Sequence, residues 1–398
     1  MKEREIAFNC LCKVLIDKQF SNIVLKNNKQ VTAFVTQLVY GTLRNYRLCR
    51  YAWLKYANSK PNNKVCILLD MACYELLLLN KPSYATVNEI VELAKNYHCD
   101  GFVNAILRKI SKEDLNVDDF ALKTSHPDWL YNLWVAHYGK EITEKMMLED
   151  LKQAEVTVRV NTMLTSQEEL LKDFNFRKTK TDNCLVYQGN VIESDYFKNN
   201  LVIIQSSSSM AAVNMLAPKD NARVLDLCCA PGSKTIQIAM MMHNTGLVVG
   251  NELYDFRCNL VRENVKKYQM NNVQIVNFDG REIDIFLPTE SFDYCLLDAP
   301  CSGLGTLKHK PEIKITTTDK DLDNIVQLQG ELLAAGAKMI KTGGIFVYST
   351  CTLNKKENER QIENFIKNNQ QFKLLEQKTI FPFDDGNDGF YIAKMVKC

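Results

Sequence analysis

The chain has 398 residues, 46% hydrophobic and 24% charged, the balance of a globular protein with room for two or three domains. Its longest apolar runs, such as Cys73 to Leu79, are too short to cross a bilayer, and the opening MKEREIAFNC lacks the apolar stretch of a secretory signal; a cytoplasmic protein with no membrane partner is expected. The formal net charge is only +2, but residues 1–115 carry 17 Lys/Arg against 10 Asp/Glu and the remainder 32 against 37, so a basic module suited to a polyanion precedes a mildly acidic one.

Residues 1–115 read as all helix. Apolar side chains recur at three- and four-residue steps, as in Ile6, Cys10, Val14 and again in Val87, Ile90, Val91, Ala94, with loops at Lys60–Asn63 and Asn80–Ser83. Ser111 to Asp119 is polar and acidic and reads as a linker. His126-Pro127-Asp128-Trp129 opens a new helix with Leu130, Leu133, Trp134 and Tyr138 on one face. Val156 to Val160 alternates as a strand, Ser166 caps a helix with Glu169 in capping-box position, and Leu185–Tyr187 and Leu201–Ile204 are further strands. Residues 126–217 are thus expected to form a small α+β module. Ser206–Ser209 reads as the cap of its last helix.

From residue 218 the pattern becomes strand, turn, helix, repeated. Strands are expected at Arg223–Leu227, Leu247–Leu253, Val273–Asp279, Phe292–Asp298 and Gly344–Ser349, with helices such as Asp255–Tyr268 and Asp321–Lys341 between them. Alternation of this kind gives a parallel sheet with helices on both faces, an α/β fold. A strand pair, Phe372–Glu376 and Gly389–Val396, closes the domain at residue 398.

Ligands of open α/β sheets bind at the carboxyl ends of the strands. Here those ends carry Asp226, Glu252, Asp279 and Asp298, four acids on successive strands. No G-x-x-x-x-G-K-[ST] or G-x-G-x-x-G occurs, and carboxylates repel phosphate. A nucleoside without phosphates fits instead: Glu252 for the ribose hydroxyls, Asp279 for the adenine amine, and the turn Cys228, Cys229, Ala230, Pro231, Gly232, Ser233, Lys234 for close backbone approach. S-adenosylmethionine has these groups and a sulfonium that tolerates acids.

The 14 cysteines include no C-x-x-C pair, the nearest being Cys10/Cys12 and Cys228/Cys229, so thiols are expected rather than disulfides or a metal site. Cys295, Cys228 and Cys229 read as core, the last two lining the cofactor turn through backbone only. Cys301, after Asp298-Ala-Pro, and Cys351, in Tyr-Ser-Thr-Cys-Thr, follow strands that neighbour each other in doubly wound sheets. A thiolate that adds to C6 of cytosine makes C5 nucleophilic, and a second group then helps release the C5 proton. Asp298, if protonated or sharing a proton with N3 of the base, would favour the addition, and Lys234 would lower a nearby thiol pKa.

DLCCAPGSKT, DAPCSG and YSTCT resemble three motifs of the RNA 5-methylcytosine methyltransferases. The resemblance implies a class I, Rossmann-like S-adenosylmethionine methyltransferase sheet, with Cys351 as nucleophile, Cys301 assisting product release, and the cofactor at Cys228–Lys234, Glu252, Asp279 and Asp298. LVYGTLRN, A-x-VNEIVELAK and GFVNAILRKI resemble the all-helical NusB-like RNA-binding domain, expected over 1–115. That fusion implies 16S ribosomal RNA as partner, naked or in an assembling small subunit, and a monomeric enzyme. Three positions depart from the pattern: Cys229 stands for Ala, Ser233 for Gly and Ser206 for an acid. The first two are small, so the turn should survive with weaker cofactor binding.

Two basic clusters, Arg44/Arg47/Arg50 and Arg108/Lys109/Lys112, are expected to bind phosphates. Transfer RNA or another ribosomal site remains an alternative target, and an RNA-binding assembly factor with a vestigial catalytic half an alternative class.

Overall fold

The computed structural model describes residues 2–79, 81–111, 115–384 and 388–398. Contacts divide the chain into two compact units: Met1–Gln153 with Thr306–Thr317, and Ala154–Gly305 with Thr318–Cys398.

The first unit is helical: α1 (Lys2–Leu15), α2 (Ser21–Lys26), α3 (Ala33–Arg44), α4 (Tyr46–Leu54), α5 (Asn63–Cys73), α6 (Ser83–Lys95), α7 (Asp100–Ile110), α8 (Phe120–Lys123), α9 (Asp128–Tyr138) and α10 (Lys140–Asp150). Thr32 caps α3 by accepting from Val35 N, and Asn62 caps α5 by accepting from Val65 N. Leu11, Leu38, Leu43, Trp53, Leu68 and Leu69 are fully buried and form its core. Gly41 lies where the Tyr74 ring packs on α3; a Cβ there would sit 1.9 Å from that ring.

Helices α9 and α10, expected to open the α+β module, belong to this unit. The reason is a buried polar joint. The Ser125 hydroxyl accepts from Arg47 N (2.7 Å) and Leu48 N (3.1 Å), and the His126 imidazole meets Asp150 at 3.2 Å, both rings of His126 and Trp134 being inaccessible.

Residues 306–317 join the same unit through their own polar side chains. Lys308 pairs with Glu149 at 3.0 Å, the Glu312 carboxylate accepts from Ser21 N and Oγ (both 2.9 Å), and Lys314 donates to the Arg44 carbonyl at 2.9 Å.

This joint also corrects the expected phosphate role of the first basic cluster. Arg44 is largely buried and donates to the Lys308 carbonyl, Arg47 pairs with Asp128, and Arg50 forks onto the inaccessible Asp70, which also accepts from the Trp53 indole. In the second cluster Arg108 and Lys109 are exposed, with Lys109 Nζ 5.4 Å from the Tyr56 ring; Lys112 lies outside the described residues.

The second unit begins with an antiparallel sheet of order β2-β3-β1-β4, formed by β1 (Val156–Val160), β2 (Phe176–Lys178), β3 (Cys184–Tyr187) and β4 (Val202–Ile204). After α11 (Ser207–Leu216) comes a seven-stranded sheet with order β10-β11-β9-β8-β5-β6-β7. Its strands are β5 (Arg223–Asp226), β6 (Leu247–Asn251), β7 (Val273–Val276), β8 (Phe292–Asp298), β9 (Ile340–Thr350), β10 (Phe372–Ile380) and β11 (Phe390–Lys397). Strands β5–β9 run parallel; β11 and β10 close the edge antiparallel. The helices between them are α12 (Ser233–Met241), α13 (Asp255–Lys267), α14 (Asp319–Met339) and α15 (Glu359–Asn368).

Alternate strand residues feed separate cores. Leu225, Cys295 and Phe346 pack with Leu333 and Phe365, while Val224, Leu296 and Val347 pack with Val213 and Ile238. The fold is therefore the expected doubly wound α/β sheet. Strand order reverses between β5 and β8, which opens a crevice at their carboxyl ends. Among the described residues no helix is long and apolar enough to cross a membrane.

Candidate active site

The parallel register sets the site. β8 and β9 pair Asp298 with Ser349, so the residues three beyond one and two beyond the other emerge side by side. They are Cys301 and Cys351, whose sulfurs lie 3.3 Å apart. The Ser349 hydroxyl donates to Asp298 Oδ1 at 2.8 Å and Lys234 Nζ to Oδ2 at 2.7 Å. Lys234 comes from the first turn of α12 and lies 5.6 Å from the Phe390 ring centroid.

These neighbours fix the charges. Burial disfavours the Lys234 ammonium, but the charge and hydrogen bond of Asp298, followed by the charge of Cys351, outweigh it and hold its pKa above the usual lysine value. The hydrogen bond to Cys351 comes first, and burial next, in pushing the Cys301 thiol well up. The two thiols share one hydrogen bond, in which either sulfur can be the donor.

The turn before α12 contains a cis Ala230–Pro231 bond and Gly232 at φ +104°, a conformation glycine favours. Asp226 is buried beneath it and accepts from the Thr235 hydroxyl at 2.7 Å, its other oxygen having no hydrogen bond; burial pushes its pKa up to about 7. Cys229 donates its backbone N–H to Asn251 O and turns its sulfur toward Gly250, where a Cβ would lie 3.1 Å from it. Burial raises both the Cys228 and Cys229 thiols far above the usual range, so they face the turn as neutral groups. Ser233 opens α12, and no side chain caps that helix. Ser206 caps α11 by accepting from Ser209 N.

Glu252 and Asp279 sit past their strands, because β6 ends at Asn251 and β7 at Val276, both shorter than expected. Phe278 N donates to the Asn251 side chain, which ends the ladder in a turn. Glu252 is almost wholly buried, accepts from Tyr254 N at 3.1 Å and lies 3.4 Å from Arg257. Asp279 accepts from the Arg281 guanidinium at 2.6 Å, and that bond, ahead of the other contacts, holds its pKa below the usual carboxylate range.

Sequence reasoning missed the support beneath the thiols. Gly305 N donates to the Cys351 carbonyl at 3.1 Å and Gly389 N to the Gly305 carbonyl at 2.7 Å; a Cβ on Gly305 would lie 2.0 Å from Gly389 O. Gly-Leu-Gly and Asp-Gly-Phe carry that signal. Ser302, Thr352 and the inaccessible Glu357 form a second support, for which the exposed-looking NKKENER offers none. Two cavities in this unit, of about 390 Å³ along α13 and β7 and about 570 Å³ around Tyr196, include none of these residues.

Residues 213–396 match the family model for the 16S rRNA methyltransferase RsmB/F, residues 1–112 that of the NusB family, and residues 126–189 that of a ferredoxin-like domain of RsmF/B-like methyltransferases. The probable ribosomal RNA small subunit methyltransferase B of Bacillus subtilis (strain 168) is 33% identical, over 99% of this chain and 98% of that protein. The ribosomal RNA small subunit methyltransferase B of Yersinia enterocolitica is 28% identical over 99% and 98%. The solved structure of PH0851 superposes with a TM-score of 0.86 at 24% identity, covering 99% of each chain.

Proposed function

The chain belongs to the RsmB/F family of ribosomal RNA methyltransferases, with an N-terminal NusB-type part, and from that premise we propose that it methylates C5 of a cytosine in 16S ribosomal RNA through a covalent Cys351 adduct. The observation that carries this reading is the 3.3 Å approach of Cys301 and Cys351 beside the Lys234–Asp298 pair. An enzyme that methylates an exocyclic nitrogen has no use for two thiols at that spot.

S-adenosylmethionine fits the residues present. The uncapped first turn of α12 suits its carboxylate, buried Glu252 its ribose hydroxyls, and Asp279 its adenine amine, while the Cys228–Lys234 backbone lines the turn. Bound there, it supplies an electrophilic methyl group.

The protein's own residues do the rest. Lys234 favours the Cys351 thiolate, which adds to C6 and moves an electron pair toward C5. N3 of the base carries no proton of its own, so Asp298 favours this addition by sharing a proton with N3 as the charge develops. Once C5 carries its methyl group, the C5 proton must leave, the pair of C–H electrons re-forms the C5–C6 double bond, and the Cys351–C6 bond breaks to return the thiolate. Cys301, in contact with Cys351, is placed to relay that proton.

The test separates the two thiols. Cys351→Ala should abolish transfer to 16S ribosomal RNA, read by bisulfite mapping, whereas Cys301→Ala should accumulate a denaturant-resistant protein–RNA adduct. An adduct formed by the Cys351 variant and not by the Cys301 variant would reverse the roles.

A further inference from the structure

Apart from the Lys234–Asp298–Ser349 group, a second set of polar side chains lies near the two thiols. They converge on one carboxylate. Glu357 is 0% exposed, and none of the ion pairs among the described residues includes it. Its Oε1 accepts from the Ser302 hydroxyl at 2.6 Å and from Asn354 Nδ2 at 3.0 Å. Its Oε2 accepts from Ser302 N at 2.9 Å and from Gln329 Nε2 at 3.1 Å. Gln329 also donates to the Pro300 carbonyl at 2.9 Å, so the residues on both sides of Cys301 are tied to this group.

The Cys351 side is tied to it as well. Ser302 Oγ and Thr352 Oγ1 are 2.7 Å apart. Ser302 has one hydroxyl proton and gives it to Glu357, so Thr352 must be the donor between them. The chain of protons then runs Thr352 to Ser302 to Glu357. The Tyr348 hydroxyl holds the Glu357 carbonyl from the β9 side at 2.7 Å.

We propose that Glu357 is a positioning residue, the anchor that keeps the segments bearing Cys301 and Cys351 in the register that brings their sulfurs together. It touches neither thiol. It acts through Ser302 and Thr352, the residues that follow the two cysteines. Bonds to an ionised acceptor are shorter and stronger than neutral ones, and four donors aimed at two oxygens leave no place for an amide NH₂. The Glu357→Gln exchange therefore breaks half the network with almost no change in shape.

The catalytic importance of this anchor rests on the cytosine-C5 reading; the geometry is testable without it. In the full-length protein, free of RNA, diamide should oxidise Cys301 and Cys351 to a disulfide, taking two protons and two electrons; peptide mapping by mass spectrometry follows the linked pair. Glu357→Gln should slow that linkage about tenfold and lower kcat about 100-fold, the cost of a displacement near 1 Å. KM for RNA and affinity for S-adenosylmethionine should stay within about twofold, as for an interaction used only in the transition state. Thr352→Val should slow the linkage in the same way and Thr352→Ser restore it, and these two variants decide alone if Glu357→Gln does not fold.

Unchanged linkage rates in Glu357→Gln, or in Thr352→Val, would overturn the proposal. So would losses confined to KM and cofactor affinity. Slowed linkage in an enzyme that leaves rRNA cytosines unmethylated would keep the anchor and remove the C5 reading; correct methylation with unaltered linkage would do the opposite.

Discussion

Lys234 is the side chain in which electrostatics and chemistry meet. It is buried, bonded to Asp298, and sensitive to the charge on Cys351. Coupling is mutual: a thiolate that keeps the lysine charged is itself favoured by the lysine. Lys234→Met removes the charge at similar length. The midpoint of Cys351 alkylation by iodoacetamide should then rise by about 1 to 3 pH units, the usual effect of one close opposite charge. A Cys301→Ala background is needed so that a single thiol titrates. An unmoved midpoint would show that the lysine serves Asp298 alone. The sequence exposed this group because strand ends and special residue types coincide at Lys234, Asp298, Cys301 and Cys351. It hid Ser349 and Glu357: a serine inside a strand and a glutamate among lysines and asparagines look like any others until the register turns them inward.

On single helices the same blindness took a different form. Arg44, Arg47 and Arg50 recur at three-residue steps, but Arg44 ends α3 and the other two lie on α4 beyond the break at Asn45; Arg50 and Asp70 form a buried pair and Arg44 is spent on a carbonyl. Helical periodicity says which residues share a face, not whether another segment covers it. Spacing read strands well where both faces are apolar, as in β5 and β8, and overran β6 and β7, where Asn251 ends the ladder by bonding across the turn. The two arginine classes should separate experimentally. Arg108→Glu with Lys109→Glu should weaken RNA binding and reduce its salt slope by about 1 to 2, as loss of phosphate contacts does. Arg50→Met should instead leave Asp70 buried without its partner and cost about 3–5 kcal/mol of stability, seen in denaturant titration. A slope that ignores the reversal at 108 and 109 would remove them from the RNA surface.

At the scale of the molecule, the border between the two units was the least readable feature. No composition change marks Gln153/Ala154, and Thr306–Thr317 reads as a charged loop although Lys308, Glu312 and Lys314 are plugged into the helical unit. Burying such groups leaves a pH signature of opposite sign in each unit. Burial, opposed by the charge of Asp150 and aided by that of Arg44, lowers Lys314 to about 7. Between pH 7 and 10.5 the unfolded chain therefore holds a proton that the folded one has released, and the helical unit gains stability as pH rises. His126, held neutral by burial, adds the same sign below pH 6.5. Asp226 is the reverse case: with its folded pKa near 7 against 3.8, the sheet unit holds a proton that the unfolded chain has lost, so its stability falls as pH rises from 4 to 7. Each proton contributes at most about 1.4 kcal/mol per pH unit within its window. Hydrogen exchange resolved by peptide, corrected for intrinsic rates, should show slower exchange in residues 2–153 at pH 8.5 than at pH 7, and faster exchange in β5 and α12 at pH 7 than at pH 5. Lys314→Met should flatten the first trend and Asp226→Asn the second, each leaving the other intact. If one substitution flattened both, the two titrations would not belong to separate units.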